Sequence, residues 1–316
     1  MSMPFPDEES GVSFEKVAGV DVIRNFGSPR DEYEAAVNRV AVRFRGHRAQ
    51  WRFEGRQPVE MLSGVVTGVM PEPLQEVEPG VLAGKATYHT VLTPKGKIVA
   101  DLRLWRRDEG DGVHLRADLS HGASPALAEL LSRTLPPRLV KRVDLGDATG
   151  MLTVLGPEAS RLLSATVLGL RVDQSDLDEL EEGELRMLAD SGGDQLLVIR
   201  NGDLSVPAFD VVGHRDVLRS AWRHLTQGGA ARVGRDSWDV LRVEAGRPDY
   251  LTELADEIIP VEAGIHDRAI DYDKGCYTGQ EVIVRIRDRG RVNRSLRRLR
   301  LDIDAPLPEA GTELFR

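Results

Sequence analysis

One cysteine, Cys276, stands in a chain of 316 residues, and aromatic side chains make up only 5% of it. A single thiol excludes a disulfide framework, a four-cysteine zinc site and an iron–sulfur cluster held by this chain alone. Also lacking are a Walker loop, G-x-G-x-x-G, G-x-S-x-G and H-E-x-x-H, so the short motifs of nucleotide, serine-hydrolase and zincin chemistry are missing. The seven histidines (His47, His89, His114, His121, His214, His224, His266) share no metal-ligand spacing, and a metalloenzyme is not expected. No run approaches the ~18 apolar residues of a membrane span. The acidic first ten residues have neither a basic nor an apolar signal region, so the expected location is cytoplasmic. A net charge of −9 argues against general binding to duplex nucleic acid.

What is present is an ordinary globular composition, 41% hydrophobic and 29% charged, of a length that suggests roughly two domains. Residues 1–30 read as a loosely structured lead-in. Ser28-Pro29-Arg30-Asp31 then looks like a helix start, with Pro at the first helical position and acids in the first turn. Residues 50–68 and 151–169 form a weak internal repeat that pairs Gly55 with Gly156, Leu62 with Leu163, Ser63 with Ser164, Val66 with Val167 and Gly68 with Gly169. Each copy reads as strand, glycine turn and amphipathic helix, which predicts two related α+β halves. Between the copies, residues 87–92 and 98–105 predict a hairpin about the turn 93–97, followed by a strand from Gly112 and a helix over 124–134. The acidic stretch 173–184 reads as a solvated loop. Strands are expected at 185–190 and 195–200, then a helix from Asp216 to Gln227. Alternation of Val282, Val284 and Ile286 with Ile283, Arg285, Arg287 and Arg289 predicts a β-strand with a basic face.

Two constellations could carry chemistry. In Lys274-Gly275-Cys276-Tyr277-Thr278-Gly279-Gln280-Glu281 the only thiol sits between glycines, beside a lysine. Such a setting favours the thiolate, and a polar loop is not where a buried hydrophobic cysteine belongs. The alternative is a tight turn with an incidental cysteine. The second is Trp238-Asp239-Val240-Leu241-Arg242-Val243-Glu244-Ala245-Gly246-Arg247-Pro248. It reads as a helix stopped by Gly246 and Pro248. Arg242 and Glu244 there could meet a ligand with mixed donors and acceptors, or be plain surface charges.

The eight-residue cysteine segment, followed by Arg285 and by Arg289-Gly290, resembles the K-G-C-[YF]-x-G-Q-E signature of the YgfZ/Iba57 family. The Trp238–Pro248 helix resembles the one that precedes it there. These are folate-binding relatives of the glycine-cleavage T-protein. The resemblance implies an α+β fold, with two ferredoxin-like halves over 31–295 around a central folate cavity. Residues 296–316 would then start an incomplete carboxy-terminal β-barrel. It implies tetrahydrofolate, or a one-carbon derivative, as cofactor, and a role in assembling or repairing [4Fe–4S] clusters, in some members for enzymes that thiolate tRNA. Its partners would be iron–sulfur assembly proteins or client enzymes.

The T-protein's own chemistry, folate-dependent aminomethyl transfer, is the main competitor. The strand carboxylate that it uses to position folate matches Asp101, although its paired acids are reduced here to Ala100-Asp101. Its Y-T-G-E-D-G segment is only loosely matched by Arg200-Asn201-Gly202-Asp203-Leu204-Ser205, and Trp238 replaces an arginine ahead of L-R-L-E-A-G.

Folate needs a flat apolar slot, a carboxylate for the pterin N–H edge and cations for its glutamate tail. Trp238 is the expected stacking surface, Glu244 or Asp101 the carboxylate, and Arg242 or Arg285 the tail contact, with Gln280 holding the cysteine turn or binding a partner. Cys276 could be a transient cluster ligand shared with a partner, a nucleophile toward a one-carbon unit, or a redox-sensitive thiol, with Lys274 depressing its pKa. A non-catalytic module using the arginine-rich stretch 285–300 on RNA or an acidic partner is a third reading. That stretch has no interleaved aromatics for base stacking, so direct RNA binding is not expected. With no coiled-coil seam in view, a monomer is expected.

Overall fold

The computed structural model describes residues 12–109, 112–168, 171–189, 195–250, 252–254, 257–302, 304–309 and 311–313. It begins with an antiparallel hairpin, β1 (Ser13–Val17) and β2 (Val20–Asn25), turning through Ala18 and Gly19, both at positive φ. This corrects the expectation of a loose lead-in from residue 13 onward; its first 11 residues lie outside those described. The Ser28 hydroxyl accepts a hydrogen bond from the Asp31 amide at 3.3 Å and starts α1 (Pro29–Asn38), as its sequence predicts.

β3 (Ala41–Phe44) leads into the first half of the fold. That half comprises β4 (Arg48–Gly55), α2 (Pro58–Ser63), β5 (Gln75–Glu78), β6 (Val81–Lys85), β7 (Thr87–Leu92), β8 (Ile98–Glu109), β9 (Gly112–Ser120), α3 (Ser124–Thr134) and β10 (Val140–Asp144). The second half comprises β11 (Thr149–Leu155), α4 (Ala159–Thr166), α5 (Gln174–Glu179), β12 (Glu184–Ala189), β13 (Gln195–Asn201), β14 (Ala208–His214) and α6 (Arg215–Gln227). The short β15 (Ala231–Arg232), α7 (Arg235–Ala245), α8 (His266–Ala269) and α9 (Gln280–Arg289) follow.

The strands form one five-stranded sheet, ordered β10-β4-β9-β8-β7, and one eight-stranded sheet, ordered β15-β3-β11-β14-β13-β12-β6-β5. β3, β5 and β6, all earlier in the chain, are thus lent to the second sheet. The two repeat segments are β4–α2 and β11–α4. Gly55 (φ 138°) and Gly156 (φ 112°) end the two strands, and a Cβ on either would lie 2.5–2.6 Å from a carbonyl oxygen, of Leu139 and Arg39 respectively. Both turns therefore demand glycine for the same two reasons, backbone angle and close approach. Leu62 and Leu163 are buried under their sheets; Gly169, the last repeat position, is outside the described residues.

Period-2 alternation divides each sheet into two faces. Trp51, Phe53, Leu102, Leu104, Leu115 and Leu119 pack against α2 and α3 on the outer face of the first sheet. Leu152, Val154, Val198, Phe209 and Val211 do the same for α4 and α6 on the second. The opposite faces meet through Trp105, Met151, Met187, Leu197, Ile199 and Val212. On these same inner faces the sequence also places Arg48, Gln50, Asp101, Arg103, Asp118, Thr153, Asn201 and Asp210, at alternate strand positions.

Two further expectations are corrected. Residues 281–289 form the helix α9 rather than a strand. Apolar side chains at 282, 283, 284 and 286 suit both periods. Gly279, left-handed at φ 84°, starts the helical turn, and Ile283 is the side chain that it buries fully. The acidic stretch is not wholly loop, since α5 lies in it and anchors through the buried Leu177. After Gly290 the described residues take no strand; residues 303, 310 and 314–316 of the stretch expected to start a barrel lie outside them. No helix among the described residues is long and apolar enough to cross a membrane.

Candidate active site between the two sheets

Asp101 on β8 faces the inner space and is 8% exposed. Its Oδ2 accepts a 3.0 Å hydrogen bond from the Tyr88 hydroxyl on β7, while Oδ1 is buried with no hydrogen-bond partner. Burial raises the Asp101 pKa, and the Asp249 and Asp203 charges add to that, against the pull of Arg48. Burial and the neighbouring carboxylate likewise hold the Tyr88 phenol well above its usual range.

Tyr88 also lines a cavity of about 300 Å³ whose other walls include Arg103, Arg200, Asp203, Glu182 and Arg268. The Arg268 guanidinium lies over the Tyr88 ring at 4.6 Å, bonds Asp203 at 2.9 Å and pairs with Glu182. Burial opposes ionisation of Asp203, but Arg268, Arg103 and Arg45 outweigh it and hold the carboxyl well below the ordinary range. The cavity thus gathers a phenol, a fixed carboxylate and cations in one partly enclosed space, which suits a polar-edged ligand.

Beneath it runs a buried charge network. Asp118, fully buried, takes two hydrogen bonds from Arg48 (3.0 and 2.8 Å), one from Gln50 (2.8 Å) and two from Arg103 (3.3 and 2.9 Å). Arg103 also reaches Asp210 at 2.6 Å, and Thr153 and Asn201 complete the Asp210 shell at 2.6 and 2.8 Å.

The residues expected at the site separate into three places. Asp101 alone is in the inner space beside the cavity. Trp238, 3% exposed, carries the Arg45 and Arg43 guanidiniums on its ring at 4.4 and 4.6 Å, so it is not the open stacking surface expected of it. Arg242 is neutralised by Asp239 (2.7 Å) and Glu253 (2.8 Å), which corrects its reading as an available tail contact. Glu244 is at the exposed end of α7, where it accepts from Tyr33 at 2.8 Å and Ser205 at 3.0 Å, and is not the cavity's carboxylate.

Cys276, Lys274, Gln280 and Arg285 form the third group, around the start of α9. The thiol is exposed. Lys274 spends its ammonium on the carbonyls of Val66 (2.8 Å) and Gly68 (2.9 Å), where burial lowers its pKa to about 8. It is a clamp on the loop rather than the thiol's partner. Tyr277 is buried in the first core cluster, and Thr278 bonds the Gly64 carbonyl, so the backbone around Cys276 is fixed on both sides. Gln280 opens α9 and Arg285 is on its exposed face. Several arginines of 285–300 are already engaged: Arg287 with Asp288, Arg294 with Glu262, and Arg298 with the Glu244 carbonyl.

Tyr88, Arg268 and the Arg48–Arg103–Asp118–Asp210 network were not singled out in the sequence. Their signal was there: a charge at every second position of an otherwise apolar strand, as in Asp101-Leu102-Arg103-Leu104, marks a face that is buried but not a hydrophobic core.

Comparison with known proteins agrees with this geometry. The GCVT N-terminal domain matches residues 7–274. The chain belongs to the GCVT family, that of the glycine-cleavage T-protein. Among curated relatives it is 28% identical over 297 residues to an aminomethyltransferase of Corynebacterium jeikeium, covering 90% of this chain and 73% of that protein. It is 30% identical over 279 residues to an aminomethyltransferase of Rubrobacter xylanophilus, covering 86% and 68%. The glycine cleavage system aminomethyltransferase T of Bartonella henselae superposes with a TM-score of 0.70 at 17% identity, over 89% of this chain and 72% of that one. The fold of the GCVT chain described here is therefore the T-protein fold.

Proposed function

We propose that this protein binds tetrahydrofolate, or a one-carbon derivative, between its two sheets, and serves the assembly or repair of [4Fe–4S] clusters in client enzymes of the cytoplasm. The observation that carries the folate half is Asp101, a buried carboxylate with one oxygen held by Tyr88 and the other unpartnered. A pterin presents an edge of N–H donors, and a buried acceptor without a donor is the complement of that edge. Family membership supports the same reading, because the relatives are aminomethyltransferases. When bound, the cofactor supplies an amine that carries one-carbon units. Asp101 orients it, Tyr88 fixes Asp101, and Arg268 with Asp203 closes the side of the cavity.

The cluster half rests on the Lys274–Glu281 signature and on the exposure of its thiol. One thiolate cannot hold a cluster alone, so a cluster in transit is shared with a partner's ligands. The test is a [4Fe–4S] enzyme such as aconitase, assayed in cells lacking this gene and complemented at matched expression. Wild type restores its activity and Cys276→Ala does not; equal restoration by both would remove the thiol from the function.

A second reading, aminomethyl transfer to folate, is favoured by the retained Asp101 and by the relatives' activity. A direct assay of tetrahydrofolate-dependent release of a one-carbon unit from an aminomethyl donor separates the two. Turnover that is abolished by Asp101→Asn and unchanged by Cys276→Ala would establish transfer in place of cluster maintenance.

A further inference from the structure

Three cationic or donor side chains at alternate positions, Arg43, Arg45 and His47, run from β3 into the loop before β4. They are 2%, 4% and 8% exposed, and each keeps at least one buried nitrogen without a partner: Nε and Nη1 of Arg43, Nε of Arg45 and Nδ1 of His47. Buried polar atoms in folded proteins are almost always paired, and buried guanidiniums more so. Four orphan nitrogens in one five-residue run are an anomaly that asks for an acceptor.

The charges sharpen the point. Among the described residues no carboxylate closes on Arg43, and the nearest to Arg45 is Asp210 at 3.6 Å, whose oxygens already serve Arg103, Thr153 and Asn201. Burial, with the Arg45 charge beside it, lowers the Arg43 pKa to about 9 even against the pull of Asp239 and Asp249. The imidazole is likewise pushed well down by burial and by both arginines. What the two guanidiniums lack, among the described residues, is a carboxylate within hydrogen-bonding distance. Both guanidiniums stack on Trp238, which fixes their planes without answering their hydrogen-bonding needs. The group borders the same interior as the candidate site, since Arg45 faces Asp210 at 3.6 Å and Asp210 holds Arg103, a wall of the cavity, at 2.6 Å.

The geometry points to Arg43 and Arg45, oriented by Trp238 and assisted by His47, as the subsite for the carboxylate end of the folate ligand. This inference rests on the tetrahydrofolate reading and adds the residues that read the tail. It moves Trp238 from platform for the ligand to platform for the guanidiniums, and it moves the tail contact from Arg242, whose charge is already met, to a pair whose charge is not.

The experiment is a titration of the full chain with tetrahydrofolate and with tetrahydropterin, which has the ring system but no p-aminobenzoylglutamate. Arg43→Met, which keeps bulk and removes charge, is expected to bind tetrahydrofolate about 10- to 100-fold more weakly while binding tetrahydropterin like wild type. Asp101→Asn is expected to weaken both. Unchanged tetrahydrofolate affinity in Arg43→Met overturns the subsite and leaves the folate reading standing, whereas a wild type that binds neither ligand overturns both. Wild type alone provides a check that needs no variant: tetrahydrofolate should bind at least about 10-fold tighter than tetrahydropterin, and equal affinities sink the subsite. A structural role is distinguished by melting the ligand-free proteins, because removal of an unpaired buried charge leaves Arg43→Met at least as stable as wild type, while removal of a packing residue lowers its Tm.

Discussion

Arg103 of the five-stranded sheet and Asp210 of the eight-stranded sheet meet at 2.6 Å across the space between them. Arg103 holds Asp118 of its own sheet with the same guanidinium, so one side chain ties both halves of the fold at the floor of the candidate site. The pairing helps to fix the relative position of two sheets whose inner faces also meet through a small apolar cluster.

Removal of one partner strands the others in a dry interior. Asp210→Ala leaves Arg103 half-paired and Thr153 and Asn201 without their acceptor. The expected loss is about 3–5 kcal/mol in denaturant unfolding. Replacing Arg103 and Asp210 together by apolar residues of similar volume should recover much of it, and a double-mutant cycle measures the coupling. Additive losses would show that the pair is not acting as one unit.

Acid should attack this same floor. Burial works against ionised Asp118 and Asp203, but Arg48 and Arg103 for the first, and Arg268 and Arg103 for the second, hold both pKa values below the ordinary carboxylate range. A depressed folded-state pKa contributes stability that is complete above the unfolded value of about 3.9 and is lost as pH falls through the folded value. Thermal melts should therefore fall steeply below about pH 4, and Asp118→Asn should be less stable at pH 7 with a shallower acid limb.

Asp101 has the opposite sign. Its pKa is raised in the folded state, so its ionised form is disfavoured by folding and stability declines as pH rises from the unfolded value through the folded one. Asp101→Asn should raise the Tm of the ligand-free protein at pH 7, with the gain shrinking below about pH 4. It should weaken tetrahydrofolate binding by about 10-fold or more. A variant less stable at pH 7 would mean that the carboxylate is structural.

Much of the fold was readable because its cues are local. The hairpin about residues 93–97 and the helices α3, α6 and α7 follow from turn residues and periodicity, and the paired glycines Gly55 and Gly156 mark the repeat. The α9 segment was misread because four nearly consecutive apolar residues satisfy both periods, and only the left-handed Gly279 before them selects the helix. Asp101 was legible through its resemblance to the strand carboxylate of the T-protein. Arg43, Arg45 and Arg268 were not, because each takes its meaning from an aromatic partner 180 to 195 positions away that folding alone brings near, and Tyr88 was not, because it is defined by Arg268 and by Asp101 on the neighbouring strand.

The cysteine loop offers a clean separation of function from stability. Cys276 is exposed, whereas its supports are buried or tied: Tyr277 in the core, Lys274 on two carbonyls, and Gly279 at φ 84°. A Cβ at Gly279 would stand 2.6 Å from the Thr93 carbonyl oxygen, a contact with backbone that cannot yield cheaply. Cys276→Ser should change unfolding free energy by no more than about 0.5 kcal/mol, as surface substitutions do. Gly279→Ala should cost about 1–3 kcal/mol, because it adds a positive φ on a Cβ-bearing residue to a steric clash. Both should fail in cells if the thiol must be presented at one place: the first for lack of sulfur, the second because the loop moves. Thiol labelling of the native protein tells these apart, since wild type and Gly279→Ala react with a small disulfide reagent and Cys276→Ser does not. A Gly279→Ala protein that labels readily yet does not complement would show that the position of Cys276, and not its exposure alone, is what the fold supplies.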